Sequence, residues 1–325
     1  MDPIYVTGHK NPDTDSIVAA MAYAALRNAC GDREYTAACL GRVSDETQQV
    51  LDRFGFQPPM HITNVFTQVR DLVYDTPPLL GTAVTVGRAW EILQQERNNT
   101  AVPVTNEDGT LYGMLSREDV ANYNMAQATL GVLDEVPLFN VLSVLEGRVL
   151  NEAGENTDTI MGELVIALPQ SRENLLFNRR NTIVLCGHQP DMIRRALEMN
   201  VRALVVCQAE IDDELRNLPT TTCIISTPHE AYRAARLIFQ SAPIGRICRV
   251  HDLVCFHLDD RLDDVKEQVL QYREPCYPIL DDEEKVVGVL TRYHLLRPKR
   301  KRVVMVDHNE ASQSVPGLEE AEIVE

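Results

Sequence analysis

The sequence has 325 residues, of which 44% are hydrophobic, and its formal net charge is −17. A chain of this length can bury two or three separate cores, because domains usually hold about 100–200 residues. The strong negative charge excludes binding to nucleic acid or to an anionic membrane unless a local patch reverses the field. An anionic substrate such as a phosphate ester would need metal ions to bridge it to the protein.

Cysteine usage and hydropathy indicate the compartment. The eight cysteines include no CxxC pair, so a zinc ribbon or thioredoxin-like site is not expected, and most lie in apolar runs typical of buried reduced thiols. No run approaches the about 20 apolar residues of a membrane span. The N-terminus shows no basic region followed by an apolar stretch. We expect a cytoplasmic protein with no membrane and no nucleic-acid partner.

The first predicted elements are a strand, a loop and a helix. Ile4–Thr7 is a short β-favouring run, and residues 8–16 form a polar loop. Apolar residues then recur at helical spacing until Gly31, which is placed to end the helix. The loop therefore joins the C-terminal end of a strand to the N-terminus of a helix, where ligands bind in open α/β sheets.

The loop carries His9, Asp13 and Asp15 within seven residues. One divalent ion could take His9 and Asp13 and a second could take Asp15. Two such ions would clamp a phosphoryl group and lower the pKa of a bridging water. Mixed imidazole and carboxylate ligands suit Mn²⁺ or a similar borderline ion better than Ca²⁺. The alternative is an N-capping loop, which accounts for one aspartate but not for all three side chains.

Residues 8–16, which read GHKNPDTDS, resemble the first motif of the DHH phosphoesterase superfamily. The stretch from lysine to serine fits its family II inorganic pyrophosphatases. The resemblance implies a Mn²⁺- or Co²⁺-dependent enzyme that hydrolyses pyrophosphate to two phosphates, with Mg²⁺ accompanying the substrate. It also implies that His9, Asp13 and Asp15 are metal ligands.

The second motif lies near the other end of the chain. Val303–Val306 is an apolar run typical of a buried parallel strand, and Asp307, His308, Asn309 and Glu310 follow it. VDHNE resembles the second motif of the same pyrophosphatases, in which the aspartate at the position of Asp307 bridges both metals. We expect His308, the catalytic candidate, to contact phosphate or a neighbouring group near the metals. By itself, DHNE would be an ordinary strand-end turn.

A repeat lies between the two motifs. In both copies a proline precedes a glycine by ten residues, and a hydroxyl residue follows that glycine by three. The first copy has Pro103, Gly113 and Ser116, and the second has Pro278, Gly288 and Thr291. An amphipathic helix pattern precedes each copy. The hydroxyl residue opens a helix, so it can cap that helix while the same N-terminus accepts phosphate.

A strand, turn and strand after a helix, ending in G-x-L-[ST]-R, resembles a CBS domain. The resemblance implies a pair of domains that binds adenine nucleotides (AMP, ADP, ATP or diadenosine polyphosphates) and forms a homodimer. The acidic residue that binds ribose is matched by Asp119, but His294 takes that place in the second copy, so we expect one nucleotide per pair. The alternative is a purely structural pair. The candidate nucleotide-binding residues are Asn99, Ser116, Arg117, Glu118, Asp119, Arg273, Tyr277 and Thr291.

Between the repeats, strand patterns at residues 182–187 and 203–207 flank a helical pattern at 190–199. By position and pattern this region resembles the DRTGG domain that some regulated pyrophosphatases carry between two CBS domains. The basic run Pro298–Arg302 could be a nucleic-acid patch, but in so acidic a chain we expect a solvated linker.

The predicted fold class is α/β: a partial, parallel-sheet DHH-type domain interrupted by two CBS domains and a DRTGG-like α/β domain. The two parts of the DHH catalytic domain are predicted at residues 1–66 and 299–325. The CBS domains are predicted at 67–128 and 246–298, with the DRTGG-like domain at 129–245 between them.

No two histidines are adjacent in the sequence, so the Asp-His-His triplet that names the superfamily is missing. We expect the chain to be truncated before that triplet and before the later domain that supplies lysine and arginine for pyrophosphate. Catalysis needs the transition state held more tightly than the substrate, so we expect negligible hydrolysis by this chain alone. The alternatives are a non-catalytic adenine-nucleotide-sensing fragment and another DHH-family phosphoesterase.

Overall fold

The computed structural model describes residues 4–9, 11–31, 33–62, 64–96, 99–167, 181–210, 213–296, 301–306 and 322–323. The chain divides into two compact units. Unit 1 comprises Met1–Asp75, Val254–Asp282 and Val287–Glu325, and unit 2 comprises Thr76–Leu253 and Glu283–Val286.

The strands lie in four sheets. They are β1 (Ile4–Thr7), β2 (Tyr35–Cys39), β3 (Met60–His61), β4 (Leu80–Gly81), β5 (Ala101–Thr105), β6 (Leu111–Ser116), β7 (Val132–Pro137), β8 (Arg148–Val149), β9 (Thr159–Ile166), β10 (Thr182–Cys186), β11 (Ala203–Cys207), β12 (Cys223–Thr227), β13 (Phe256–His257), β14 (Tyr277–Leu280), β15 (Val286–Leu290), β16 (Arg302–Met305) and β17 (Glu322–Ile323).

The helices pack on these sheets. They are α1 (Thr14–Cys30), α2 (Asp45–Phe54), α3 (Val86–Gln95), α4 (Arg117–Leu130), α5 (Leu138–Leu145), α6 (Glu152–Glu155), α7 (Pro190–Glu198), α8 (Asp213–Arg216), α9 (Ala231–Phe239) and α10 (Leu262–Gln271). Short 3-10 helices cover Val69–Asp71, Ile244–Arg246 and Arg292–Leu295. Within the described ranges, no helix is both long and apolar enough to cross a membrane.

In unit 1, a five-stranded sheet has the order β17-β16-β1-β2-β3 with every neighbouring pair parallel. The chain runs outward from β1 through β2 to β3 and later returns to the other side of β1 as β16 and β17. This is the 3-2-1-4-5 order of a doubly wound sheet, with the long insertion between its third and fourth strands. The order reverses between β1 and β16, so the crevice for a ligand lies at the carboxyl ends of those two strands.

The core of this sheet explains why β1 is central. Ile4, Val6 and Val304 are buried on the face that α1 covers. Helix α1 contributes Ala20 and Ala24, one turn apart, and such small side chains let the helix pack close to the strands. The predicted strand at Ile4–Thr7 and the predicted helix end at Gly31 are confirmed.

The second repeat, consisting of β13, β14, β15 and α10, belongs to unit 1 except for Val286 at the start of β15. Its core includes Val69 and Leu72, which precede the first repeat in the sequence. The backbone of Asp75 pairs with Val289 in β15 by two hydrogen bonds of 2.8 and 3.2 Å. Part of the segment assigned by sequence to the first CBS domain therefore packs in the second repeat.

The first repeat, consisting of β4, β5, β6, α3 and α4, lies in unit 2. Ile244 and Cys248 join its core, and Arg249 exchanges two backbone hydrogen bonds of 2.9 Å with Met114 in β6. The segment that precedes the first repeat in the sequence therefore packs in the second repeat, and the segment that precedes the second repeat packs in the first. These contacts do not follow the predicted domain boundaries at residues 66–67 and 245–246.

The other sheet of unit 2 has the order β7-β9-β10-β11-β12-β8. Its four central strands are parallel, and the two edge strands are antiparallel to their neighbours. Strands β10 and β11 are buried at all five positions because helices cover both faces. Six of the eight cysteines are buried and all eight are free, which confirms the expectation of mostly buried, reduced thiols.

Candidate functional site

The candidate metal site begins where β1 ends. Thr7 in β1 is aligned with Met305 in β16, and the backbone N–H of Val306 donates to the Thr7 carbonyl at 2.8 Å. Gly8 and His9 follow β1, and α1 starts at Thr14. The two predicted motifs therefore meet at one edge of one sheet, although most of the chain separates them.

Asp13 is the N-cap of α1. Its Oδ1 accepts a 2.8 Å hydrogen bond from the buried backbone N–H of Ser16, which satisfies one of the free donors at the helix start. His9 Nε2 lies 3.5 Å from the same Asp13 oxygen, with side chains 20% and 60% exposed respectively. Asp13 therefore does cap the helix, as the alternative interpretation predicted, but capping does not explain the imidazole of His9 beside it.

Asp15 lies in the first turn of α1 and is exposed. Its carboxylate is stabilised there by the positive end of the helix dipole, which also favours an anionic substrate. The structure thus brings His9, Asp13 and Asp15 to one loop at the carboxyl end of β1. The predicted residues Asp307 and His308 lie outside the described part of the chain, which stops at Val306 before them.

The spacing of His9 and Asp13 fits a shared divalent ion. Two ligand atoms that are each about 2.1 Å from one ion, at angles between 90° and 109°, lie about 3.0–3.4 Å apart. The observed Nε2–Oδ1 distance of 3.5 Å is close to this value. Among the described residues, however, no group of three or more histidine, cysteine, aspartate or glutamate side chains is arranged around a common point.

Gly8 supports this loop and was not singled out by the sequence. A Cβ placed on Gly8 would lie 2.0 Å from Ser16 Oγ and 3.0 Å from Ser16 Cβ. The strand end can therefore approach the first turn of α1 only because residue 8 has no side chain. In the sequence, Gly8 could have been found as a glycine that lies between a strand and a ligand-bearing loop.

A chain of hydroxyl groups ties α1 to α2 at the same sheet edge. The buried Thr47 Oγ1 lies 2.9 Å from Thr14 Oγ1 and 2.9 Å from Ser44 Oγ, the side chain that caps α2. Because Thr14 lies between Asp13 and Asp15, this contact holds the backbone that carries both carboxylates. Sequence periodicity gave no indication of it, since Thr47 lies on another helix.

In the first repeat, Ser116 caps α4 as predicted. Asp119 donates its N–H to Ser116 Oγ at 3.1 Å, and its Oδ2 accepts from the Ser116 N–H at 2.8 Å and from Oγ at 2.7 Å. Glu118 is exposed beside them, and Asn99 is buried. This reciprocal capping fixes where α4 begins, while the nucleotide-binding role of these residues stays a prediction.

Arg117 joins two helices. Its guanidinium donates to the carbonyl of Leu93 at 2.7 and 3.1 Å and to that of Glu96 at 2.6 Å, which ties the end of α3 to the start of α4. These bonds use Nε and Nη2, and the predicted nucleotide contact of Arg117 stays a prediction.

In the second repeat, Tyr277, one of the candidate nucleotide-binding residues, packs in the core. Its ring is fully buried, packs 5.3 Å from the Phe256 ring, and its hydroxyl donates to the Tyr272 carbonyl. An aromatic side chain of this size contributes more to the core than to a surface contact. Arg273 is exposed, as a phosphate ligand would have to be.

Thr291 and His294 close the second repeat. The Thr291 N–H donates to His294 Nδ1 at 2.9 Å, and His294 Nε2 lies 3.7 Å from Asp75 Oδ2. His294 therefore takes the local capping place that Asp119 has in the first repeat. Thr291 precedes only a short 3-10 helix, so the two repeats differ in the helix start that they offer to a ligand.

Lys301, part of the predicted solvated linker, is largely shielded from solvent. Its side chain is 14% exposed, and its Nζ lies 3.2 Å from Asp71 Oδ2 and 3.3 Å from Gln68 Oε1. Arg302 is the first residue of β16, and the linker residues 298–300 lie outside the described part of the chain.

A doubly wound parallel sheet with imidazole and carboxylate side chains at its switch point defines an α/β protein with a candidate ligand site at that position. The chain belongs to the DHH family, because the sequence profile of the DHH family N-terminal domain matches residues 3–325.

Curated relatives agree with this assignment. A cobalt-dependent inorganic pyrophosphatase of Clostridium perfringens is 36% identical over 330 residues, which cover all of this chain and 60% of the relative. A Thermotoga maritima protein named a probable manganese-dependent inorganic pyrophosphatase is 27% identical over 331 residues, again covering all of this chain and 60% of the relative. The chain thus spans 60% of the length of these two relatives.

The inserted region also has a solved counterpart. The CBS and DRTGG domains of the regulatory region of the C. perfringens pyrophosphatase, complexed with the activator diadenosine tetraphosphate, superpose with a TM-score of 0.59 at 28% identity. The match covers 69% of this chain and 99% of that one. The predicted CBS and DRTGG resemblances are therefore confirmed at the level of fold.

Proposed function

We propose that this chain is the metal-binding N-terminal part of an inorganic pyrophosphatase that adenine nucleotides regulate. The observation that carries the proposal is the parallel, in-register pairing of β1 with β16. It brings the loop with His9 and Asp13 beside the strand that leads to the second motif. The relatives named as inorganic pyrophosphatases supply the reaction, hydrolysis of pyrophosphate to two phosphates.

The proposed metal ligands are His9, Asp13, Asp15 and Asp307, and His308 is the proposed phosphate contact. Bound divalent ions would lower the pKa of water and neutralise the charge of the phosphoryl group. His9 presents Nε2 to the site, while Asp13 uses Oδ1 both as the cap of α1 and as a ligand. The Asp15 carboxylate favours a cation, and the positive end of the α1 dipole favours an anion.

The proposed ion is Mn²⁺ or Co²⁺, with Mg²⁺ accompanying the substrate. Imidazole together with carboxylate suits borderline ions, and the two relatives are named cobalt- and manganese-dependent. Because the protein carries a net charge of −17, bound cations also offset its repulsion of pyrophosphate.

Metal binding is tested by titrating Mn²⁺ into the protein by calorimetry. We expect His9→Ala and Asp15→Asn each to weaken Mn²⁺ binding by at least about tenfold, since even outer partners of a metal site contribute 10- to 100-fold. Asp45→Asn is the matched control, because Asp45 occupies the first turn of α2 as Asp15 does in α1. Equal losses for Asp15→Asn and Asp45→Asn would show a general charge effect and reject the site.

The reaction is tested by phosphate release from the full-length protein with Mn²⁺. Pyrophosphate is compared with inorganic polyphosphate and with a short oligonucleotide, the substrates of other DHH phosphoesterases. We expect pyrophosphate to be the preferred substrate. Preference for either of the others would assign a different DHH activity, and no turnover with intact nucleotide binding would support a non-catalytic sensor.

The proposed regulatory ligand is an adenine nucleotide, including the diadenosine tetraphosphate bound by the C. perfringens regulatory region. The residues proposed to contact it are the predicted set, Asn99, Ser116, Arg117, Glu118, Asp119, Arg273, Tyr277 and Thr291. We expect Arg273→Ala to weaken AMP binding by about tenfold, the size of one charge-assisted contact to phosphate. Arg88→Ala is the control, because Arg88 pairs with Glu91 on the exposed side of α3. An unchanged affinity for AMP in Arg273→Ala would remove Arg273 from the site.

The five-part division of the chain, a cytoplasmic location and a homodimer remain parts of the proposal. The matching regulatory domains support CBS and DRTGG folds in the insertion, but each repeat here includes a segment exchanged with the other. Light scattering tests the dimer, and a mass of one chain at micromolar concentration would contradict it.

A further inference from the structure

The side chain of Lys301 links the segment at which the chain enters the insertion to the strand at which it leaves. Gln68 and Asp71 lie in the segment by which the chain enters the inserted region, and Lys301 lies directly before β16, by which it leaves. Lys301 Nζ lies 3.2 Å from Asp71 Oδ2 and donates to Gln68 Oε1 at 3.3 Å. The Lys301 and Asp71 side chains are 14% and 23% exposed, so the pair is better shielded than a surface ion pair.

The acceptor end of this contact belongs to the second repeat. Asp71 Oδ2 also accepts from the Gln68 backbone N–H at 2.9 Å, and Gln68 Nε2 donates to the Asp259 carbonyl at 2.7 Å. Arg70 pairs with the Asp259 carboxylate. Because Val69 is buried in the core of the second repeat, a shift of that repeat moves Asp71 with it.

The donor end belongs to the metal-site strand. Lys301 is bonded to Arg302, the first residue of β16, and Val303 and Val304 are buried in the five-stranded sheet. Val306 then donates its N–H to Thr7, next to Gly8 and the ligand loop. A packed strand transmits a displacement at one end to the other, because its buried side chains leave little room to absorb it.

We propose that Lys301 is a positioning residue that couples nucleotide binding at the repeats to metal affinity at the carboxyl end of β1 and β16. This inference rests on the proposed function, since it needs both ligands. A ligand shifts an equilibrium only through contacts that differ between two states, and the Lys301–Asp71 pair is a contact between the second repeat and the strand that borders the proposed metal site. Such coupling is a property that can be measured without turnover.

The test measures the Kd for Mn²⁺ by calorimetry without and with saturating AMP. In the wild type we expect the two Kd values to differ by about 5- to 150-fold, the usual range of allosteric coupling. Lys301→Met keeps the aliphatic stem and removes the charge. In this variant we expect each ligand alone to bind within about twofold of wild type, while the ratio of the two Kd values falls towards one.

Two further variants separate coupling from stability. In α10, Lys266 forms an exposed ion pair with Asp263, with 2.8 Å between Nζ and Oδ1. Lys266→Met removes this charge and should leave the ratio of the two Kd values for Mn²⁺ unchanged. The double variant Lys301→Asp with Asp71→Lys restores an opposite-charge pair and should recover part of the ratio.

The outcomes distinguish the inference from the function on which it rests. A wild-type protein that binds no Mn²⁺ or no AMP would overturn the proposed function, and the coupling with it. If both ligands bind and the ratio is unchanged in Lys301→Met, or is already one in the wild type, the coupling role of Lys301 is rejected while the proposed function stands.

Discussion

The absence of a side chain at Gly8 sets how closely β1 approaches α1. The Ser16 side chain occupies the space that a Cβ would need, and Ser16 also donates the backbone N–H that Asp13 accepts. The geometry of the ligand loop therefore depends on a residue that binds nothing itself.

We predict that Gly8→Ala destabilises unit 1 by about 1–3 kcal/mol, the cost of overpacking a tight contact. Gly81→Ala is the matched control, because a Cβ there meets no atom within 4 Å. Urea unfolding followed by circular dichroism measures both variants, with the Kd for Mn²⁺ as a second readout. Equal stability of the two variants would show that the contact at Gly8 is not restrictive.

Burial also controls the chemistry of the cysteines. Loss of hydration raises the pKa of Cys186 and of Cys207 to about 12, because the thiolate is disfavoured in an apolar surrounding. At pH 8 about one thiol in ten thousand would be ionised at each site, since the pKa lies about four units above the pH. Cys30, by contrast, is exposed.

We predict that iodoacetamide at pH 8 labels Cys30 rapidly and leaves Cys186 and Cys207 unmodified, as read by peptide mass spectrometry. Labelling of the buried pair should rise with pH, since the thiolate fraction grows tenfold for each pH unit below the pKa. Labelling of Cys186 as fast as that of Cys30 in the folded protein would contradict the burial described here.

Local sequence patterns predicted individual strands and helices, but they did not predict which of these elements pack together. Ile4–Thr7 and the helix ending at Gly31 were predicted because strand and helix periodicity are local signals. The adjacency of β1 and β16 was predicted only because two motifs shared one kind of chemistry. The burial of Tyr277 was not predicted, because a residue at a strand start gives no sign of which face it occupies until its neighbours are known.

The exchanged segments could not be predicted for the same reason. Val69 and Leu72 form an apolar pair beside the first repeat in sequence, yet they fill the core of the second. The spacing of these two residues does not indicate whether they pack in the core of the first repeat or in that of the second. The Lys301 contact was missed because a basic run usually denotes a solvated face, and its acidic partner lies far away in the sequence.

We predict that Val69→Ala destabilises the second repeat by about 2 kcal/mol, from two lost methyl groups and the space they leave. Hydrogen exchange should show reduced protection of amides in β14 and β15, with β5 and β6 unchanged. Leu79→Ala is the control, because Leu79 is 45% exposed. Loss of protection in β5 and β6 instead would place the segment in the first repeat, as its position in the sequence suggested.

At the scale of the whole molecule, an acidic chain with a net charge of −17 is proposed to act on a highly charged anion. The proposed divalent ions at the switch point of the sheet would resolve this conflict, because they would supply local positive charge where the substrate is proposed to bind. The insertion follows β3 and precedes β16, so the chain leaves the CBS and DRTGG folds directly into the strand that borders the candidate site.

The most direct measurement is anomalous diffraction at the manganese edge from crystals grown with Mn²⁺. We predict a peak at the carboxyl ends of β1 and β16, about 2.0–2.2 Å from His9 Nε2 and from an oxygen of Asp13, with Asp15 and Asp307 completing the ligand set. Manganese bound elsewhere, or a peak at this edge that Asp307 does not contact, would contradict it.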